Sequence, residues 1–166
     1  MTTSTVPQGD LRLLDSGIAQ NMLNSTELAR LAYVAADGTP RVFPMLFLWN
    51  GKEVVFATFA GTAKLTALRA RPDVAITIDT AGPPPQVLLL RGPAEVTEIE
   101  GVAPDYIAMQ QRYYGPEQGA AAAAELEGSG VRMARIAVRP TWVGTFDFMT
   151  RFPGGRTAEE FASRGQ

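Results

Sequence analysis

The sequence predicts a mainly β protein with peripheral helices, an antiparallel split β-barrel of six to seven strands. Two observations carry that expectation. Runs of β-branched and aromatic residues follow one another at short spacing. The turn dipeptides Asp37-Gly38 and Asn50-Gly51 stand between them, and Asn-Gly between apolar runs is the strongest short-range hairpin signal. Such runs favour an antiparallel sheet over a βαβ fold, and closing it into a barrel removes the edges that apolar strands would expose.

Leu11, Leu14, Ile18 and Met22 recur at helical spacing and predict a first amphipathic helix, which Gly17 weakens and Asp15 could cap in a shorter version. Residues 29–35 (ARLAYVA), 40–49 (PRVFPMLFLW) and 54–59 (VVFATF) follow as three strands joined by the two turns, an antiparallel meander. Leu65 and Leu68 lie three apart among good helix formers and predict a helix over 62–71 that Pro72 stops. Residues 74–80 (VAITIDT) alternate as a half-buried strand does, and 82–85 (GPPP) form a loop. Residues 86–99 read as one long strand with a bend or bulge at Gly92-Pro93. Pro104 opens a helix that runs to Tyr114, and residues 119–127 are helical by propensity. Strands at 131–138 and 141–149 close a single domain spanning residues 1–166, with 1–10 and 153–166 expected to be loosely ordered.

Composition narrows the function. In 166 residues, 46% are apolar and 19% charged, a balance that supports a packed core. The net charge of −2 and pI of about 5.2 give no basic footprint for nucleic acid. With no His and no Cys, a Ser-His-Asp triad, a His- or Cys-built metal site and a strongly ligated haem are all excluded, so no metal or haem is expected. Any chemistry must then come largely from a bound cofactor. The N-terminus does not read as a signal peptide and the apolar runs near 42–49 and 86–90 are too short to span a membrane, so the expectation is a cytoplasmic protein with no membrane partner.

The informative stretch is residues 41–79. A strand runs through Ala60-Gly61-Thr62 into a helix with Lys64 in its first turn. Unpaired N–H groups and the positive dipole end make such a helix start a place for phosphate, with Thr62 as cap or donor and Lys64 as a point charge. A solvated Lys64 behind a capping Thr62 explains the same spacing. Elsewhere, Asp147 among Phe146, Phe148 and Met149 is expected to pair with Arg151. Tyr113 and Tyr114 are expected to pack a helix on the barrel, and Trp49 and Trp142 to be core or interface residues.

Four segments in order, Arg41-Val42-Phe43-Pro44-Met45-Leu46, Phe56-Ala57-Thr58, Thr62-Ala63-Lys64 and Arg71-Pro72-Asp73-Val74, resemble the pyridoxamine phosphate oxidase-like family of flavin-binding split barrels. Gln86-Val87 before Gly92 echoes the family's next strand. The resemblance covers residues 27–98 well. It implies FMN or the deazaflavin coenzyme F-420 as cofactor, bound by Arg41, Phe43, Pro44, Met45, Leu46, Ala57, Thr58, Thr62, Ala63, Lys64 and Gln86, in a homodimer that shares it at the subunit interface. It further implies an oxidoreductase acting by hydride transfer on a small-molecule substrate, the alternative being a carrier that binds the cofactor without turnover. Ala63 stands where the family has Arg, and the Arg-rich C-terminal substrate motif of true pyridoxamine phosphate oxidases is missing, which argues against a vitamin B6 phosphate substrate.

Overall fold

A computed structural model describes residues 6–154 and 156–164. The loose order expected at residues 1–5, 155 and 165–166 lies outside the described residues. The N-terminal leucines split into two pieces instead of one helix. Asp10 caps a 3-10 turn at Leu11–Asp15, the chain becomes extended at Ser16, and Ser16 rather than Asp15 caps α1 (Gly17–Leu23). Gly17 thus falls at the first helical position.

Among the described residues eight strands follow: β1 (Ala29–Val34), β2 (Pro40–Met45), β3 (Leu48–Trp49), β4 (Val54–Phe59), β5 (Asp73–Asp79), β6 (Val87–Glu100), β7 (Arg132–Val138) and β8 (Trp142–Phe146). Between them lie α2 (Ala63–Ala70), α3 (Pro104–Tyr114) and α4 (Pro116–Leu126), and α5 (Ala158–Ala162) comes last. All pairings are antiparallel, in the order β2-β1-β5-β6-β7-β4-β3 with β8 also on β6. The sheet curls into a half-barrel with its helices peripheral. Both predicted turns form, with Gly38 and Gly51 at φ +81° and +91°.

The expected meander does not. The 40–49 run breaks at Leu46-Phe47 because Phe47 turns inward to full burial, its ring edge-on to Tyr113 at 6.5 Å. Its first part, β2, pairs with β1, while β3 pairs with β4, so β2 and β4 end up on opposite lips of the open barrel. The long strand β6 joins the two halves. Its residues up to Pro93 pair with β5, and from Ala94 onward they pair with β7. The predicted bend at Gly92-Pro93 is where the partner changes, and Gly92 has no room for a side chain, since a Cβ there would stand 2.2 Å from the Arg139 carbonyl oxygen.

Inward-facing Leu31, Phe56, Ile76, Leu90 and Ile136, with Leu68 of α2, form the core. On the outside the halves differ. Val55, Met133 and Ala137 are buried where α3 packs, and Arg135 on β7 pairs with Asp105 on α3 at 3.1 Å. The other half keeps an exposed apolar outer face, where Ala32, Val42, Ala75 and Leu89 line a groove of about 210 Å³.

The Asp147 turn differs from expectation in its bonding. Oδ1 accepts from the backbone N–H of Met149, Thr150 and Arg151, and Oδ2 from the Thr150 hydroxyl. Burial opposes its charge, yet these donors outweigh it and hold the carboxyl below the ordinary aspartate range. The Arg151 guanidinium turns instead to the carbonyls of Thr145 (2.9 Å) and Val6 (2.6 Å). Asp147 organises backbone, and among the described residues its burial is satisfied without an ion pair.

Candidate functional site

The split between β2 and β4 brings four of the sequence-predicted residues, Phe43, Met45, Thr62 and Lys64, to one corner. β4 ends at Phe59, and Ala60-Gly61-Thr62 carries the chain into α2, whose Leu65 and Leu68 anchor in the core. That anchorage turns the first turn of α2 back toward the opposite lip. Lys64 reaches across: its Nζ lies 3.6 Å from Met45 Sδ and 4.7 Å from the Phe43 ring centroid. Phe43 and Met45 alternate along β2 on one face, so both present to the same lysine.

The electrostatics of this corner are unusual for a surface lysine. Burial lowers the Lys64 pKa, and among the described residues it has no carboxylate within ion-pair range. Thr62 occupies the N-cap position of α2 with extended backbone, but its side chain makes no capping bond. Its Oγ1 is buried and has no hydrogen-bond partner. An unsatisfied buried hydroxyl costs about 1–3 kcal/mol and calls for an explanation. Such a hydroxyl, beside a bare helix start and an unpaired ammonium, fits an anion. Of the two readings open from spacing, the capping one loses its hydrogen bond.

The other predicted residues divide. Thr58 lies on the inner face of β4 next to the turn, in register with buried Ala134, whereas Ala57 pairs with Arg135 on the side that α3 covers. Leu46 is half-buried at the crossing, Pro44 points to the exposed outer face beside Arg30, and Ala63 is exposed at the first position of α2. Arg41 is drawn into its own hairpin, pairing with Asp37 at 3.1 Å and bonding the Thr39 hydroxyl and the Pro40 carbonyl. Gln86 lies three strands from β2, about 14 Å at the usual spacing, bonded to Thr80 and Asn21. Within one chain Arg41 and Gln86 therefore do not join the Lys64 corner.

Sequence reasoning misses what stiffens the region. Arg112 donates to the Ser25 carbonyl (2.5 Å) and Tyr113 to the Glu27 carbonyl (2.8 Å), tying α3 to the segment that leads into β1. Tyr113 is a packing residue as expected, and its burial raises the hydroxyl pKa. Trp49 packs against the core, and Trp142 carries the Arg91 guanidinium at 4.0 Å.

Comparison with known proteins agrees with this architecture. Among solved structures, an F420 reductase is 26% identical with a TM-score of 0.59, over 75% of this chain and 94% of that one. A conserved hypothetical protein from Mycobacterium tuberculosis reaches a TM-score of 0.61 at 19% identity, over 76% and 81%. A heme-binding protein from Mycobacterium smegmatis gives 0.57 at 20% identity, over 88% and 59%. No curated protein sequence matches the chain. The family profile described as pyridoxamine 5′-phosphate oxidase matches residues 18–143, three quarters of the sequence, and the chain belongs to that family.

Proposed function

We propose that the protein is an oxidoreductase that binds a flavin-type cofactor, FMN or coenzyme F-420, across the split and serves hydride transfer to a small organic substrate. The observation that carries this reading is the Thr62–Lys64 corner, with its orphaned buried hydroxyl and a half-buried ammonium that has no carboxylate partner among the described residues, at a helix start. The similarity to an F420 reductase supports it. When bound, the cofactor supplies the electron chemistry. Lys64, Thr62 and the first N–H groups of α2 hold its phosphate, and Phe43 and Met45 give its ring an apolar support. A haem reading, which the mycobacterial heme-binding neighbour invites, is disfavoured because the chain has no His or Cys to bind iron strongly.

The assembly is a homodimer in this reading. The exposed apolar outer face around Val42, Ala75 and Leu89 supplies the interface. Light scattering at micromolar concentration is expected to give twice the mass of the chain. A monomer would remove this part of the proposal.

A carrier without turnover is the second reading, favoured by the lack of an acid or base beside Lys64 among the predicted site residues. Anaerobic reduction of the bound cofactor followed by a screen of organic acceptors separates the two. Enzymatic function predicts reoxidation faster than that of free cofactor with at least one acceptor. Binding with reoxidation at the free rate for every acceptor identifies a carrier.

A further inference from the structure

We propose that two copies of this chain dock through reciprocal ion pairs, Arg91 of each protomer with Asp73 of the partner subunit, an inference that rests on the homodimer read above. Both residues stand on the outer face of the open half of the barrel. Side chains alternate between the faces of a strand, so Asp73 and Ala75 of β5 share this face with Leu89 and Arg91 of β6. Two adjoining hollows cross it. The one lined by Val42 and Leu89 also takes in Arg91, and a second, of about 440 Å³, runs from Ala32 and Ala75 to Asp73, Arg91 and Thr141.

Of the charged residues lining the hollows, Arg30 is held by Asp79 at 2.5 Å, whereas Asp73 and Arg91 enter no ion pair among the described residues. Register and packing keep the two apart within the chain. Asp73 stands opposite Pro93, and Arg91 stands opposite Ala75. From β8, on the other side of β6, Trp142 pairs with Arg91 and carries its guanidinium 4.0 Å from the ring centroid, which draws the charge away from β5. The ring is closely seated, since a Cβ on Gly9 or Gly144 would stand 2.7 or 2.6 Å from it.

A partner that covered the apolar part of this face without countercharges would leave a carboxylate and a guanidinium desolvated and unpaired, which opposes binding. A second copy brings both countercharges. In an isologous contact, if one residue meets another across the interface, the reverse contact forms as well. A two-fold axis running between Asp73 and Arg91 therefore makes both pairs at once as the apolar faces meet. Apolar contact alone does not choose a rotation of one copy on the other, and the two pairs do.

Sedimentation equilibrium of the full chain tests this, reading the dimer dissociation constant for the wild type, Arg91→Glu, Asp73→Arg and an equimolar mixture of the two variants. In either variant alone both contacts join like charges, and self-association is expected to weaken at least roughly 100-fold. In the mixture each contact joins opposite charges again, and a mixed dimer is expected with affinity within about tenfold of the wild type. Arg91→Gln, which removes the charge without reversing it, is expected to weaken the dimer about tenfold and keeps the test decisive if a reversal disturbs folding. A wild-type dimer whose constant is unchanged in these variants overturns the ion pairs and leaves the homodimer standing. Weakened variants whose mixture fails to associate overturn them too, because the two charges then meet other groups. A monomeric wild type defeats the homodimer reading itself, and the inference with it.

Discussion

Lys64→Ala is expected to weaken cofactor binding roughly 10- to 100-fold while leaving the fold nearly unchanged. A charge-assisted hydrogen bond to phosphate contributes about 1.5–3 kcal/mol, and each 1.4 kcal/mol is tenfold in affinity. The fold should lose no more than about 1 kcal/mol, since folding takes from this side chain the contacts with Phe43 and Met45 and the packing of its aliphatic stem. Lys64→Met is the companion variant. It keeps the stem over Phe43 and Met45 and removes only the charge, so it should lose affinity like the alanine variant with an unaltered melt. Thr62→Ala should cost less, because backbone donors remain. Titration of FMN or F-420 by fluorescence reads all three. Wild-type affinity in Lys64→Met would return the lysine to a solvated surface role.

The second large effect is expected in stability. Gly92→Ala should cost about 3 kcal/mol, lowering the melting temperature by roughly 6–12 °C for a chain of this size. The obstacle is backbone, not a side chain that could rotate away: the added carbon would stand 2.2 Å from the Arg139 carbonyl oxygen and 3.0 Å from its carbon. It also falls where β6 passes from one half of the barrel to the other, so relief by local movement would disturb the β5 and β7 pairings together. Gly17→Ala is the control. It lies at a helix start with nothing within 4 Å and should be neutral or slightly stabilising. A Gly92→Ala protein melting within a degree or two of the wild type would mean that the sheet change is looser than the structure describes.

What the sequence makes legible is what neighbouring residues decide. Both glycine turns, the bounds of β4, the helix stopped by Pro72, and Pro104 at a helix start follow from local backbone preference. The second late helix begins at Pro116 instead of residue 119, because proline also suits a first helical turn once Gly115 has broken the chain direction. What stays hidden is settled by distant partners. The break at Leu46-Phe47 depends on a core position for Phe47, and the strand order depends on residues far apart in the chain. The same limit applies to the candidate site. Phe43, Met45, Thr62 and Lys64 can be picked out in order along the chain, but not the failure of Thr62 to cap or the capture of Arg41 by Asp37. Asp147 is legible as a residue that needs partners. That those partners are amide groups of its own turn is not.

The pairing of β4 bears on how the chain comes into being on the ribosome. Its early neighbour β3 is two residues long, and its full-length neighbour β7 begins at Arg132. More than seventy residues must be added after Phe59 before that partner is complete, which at about 5–20 residues per second means several seconds. Throughout that interval the apolar edge of Val54–Phe59 has nothing of its own length to join, and it is then a template for another nascent chain. The edge of β4 is therefore fully covered only once the last third of the chain has been made.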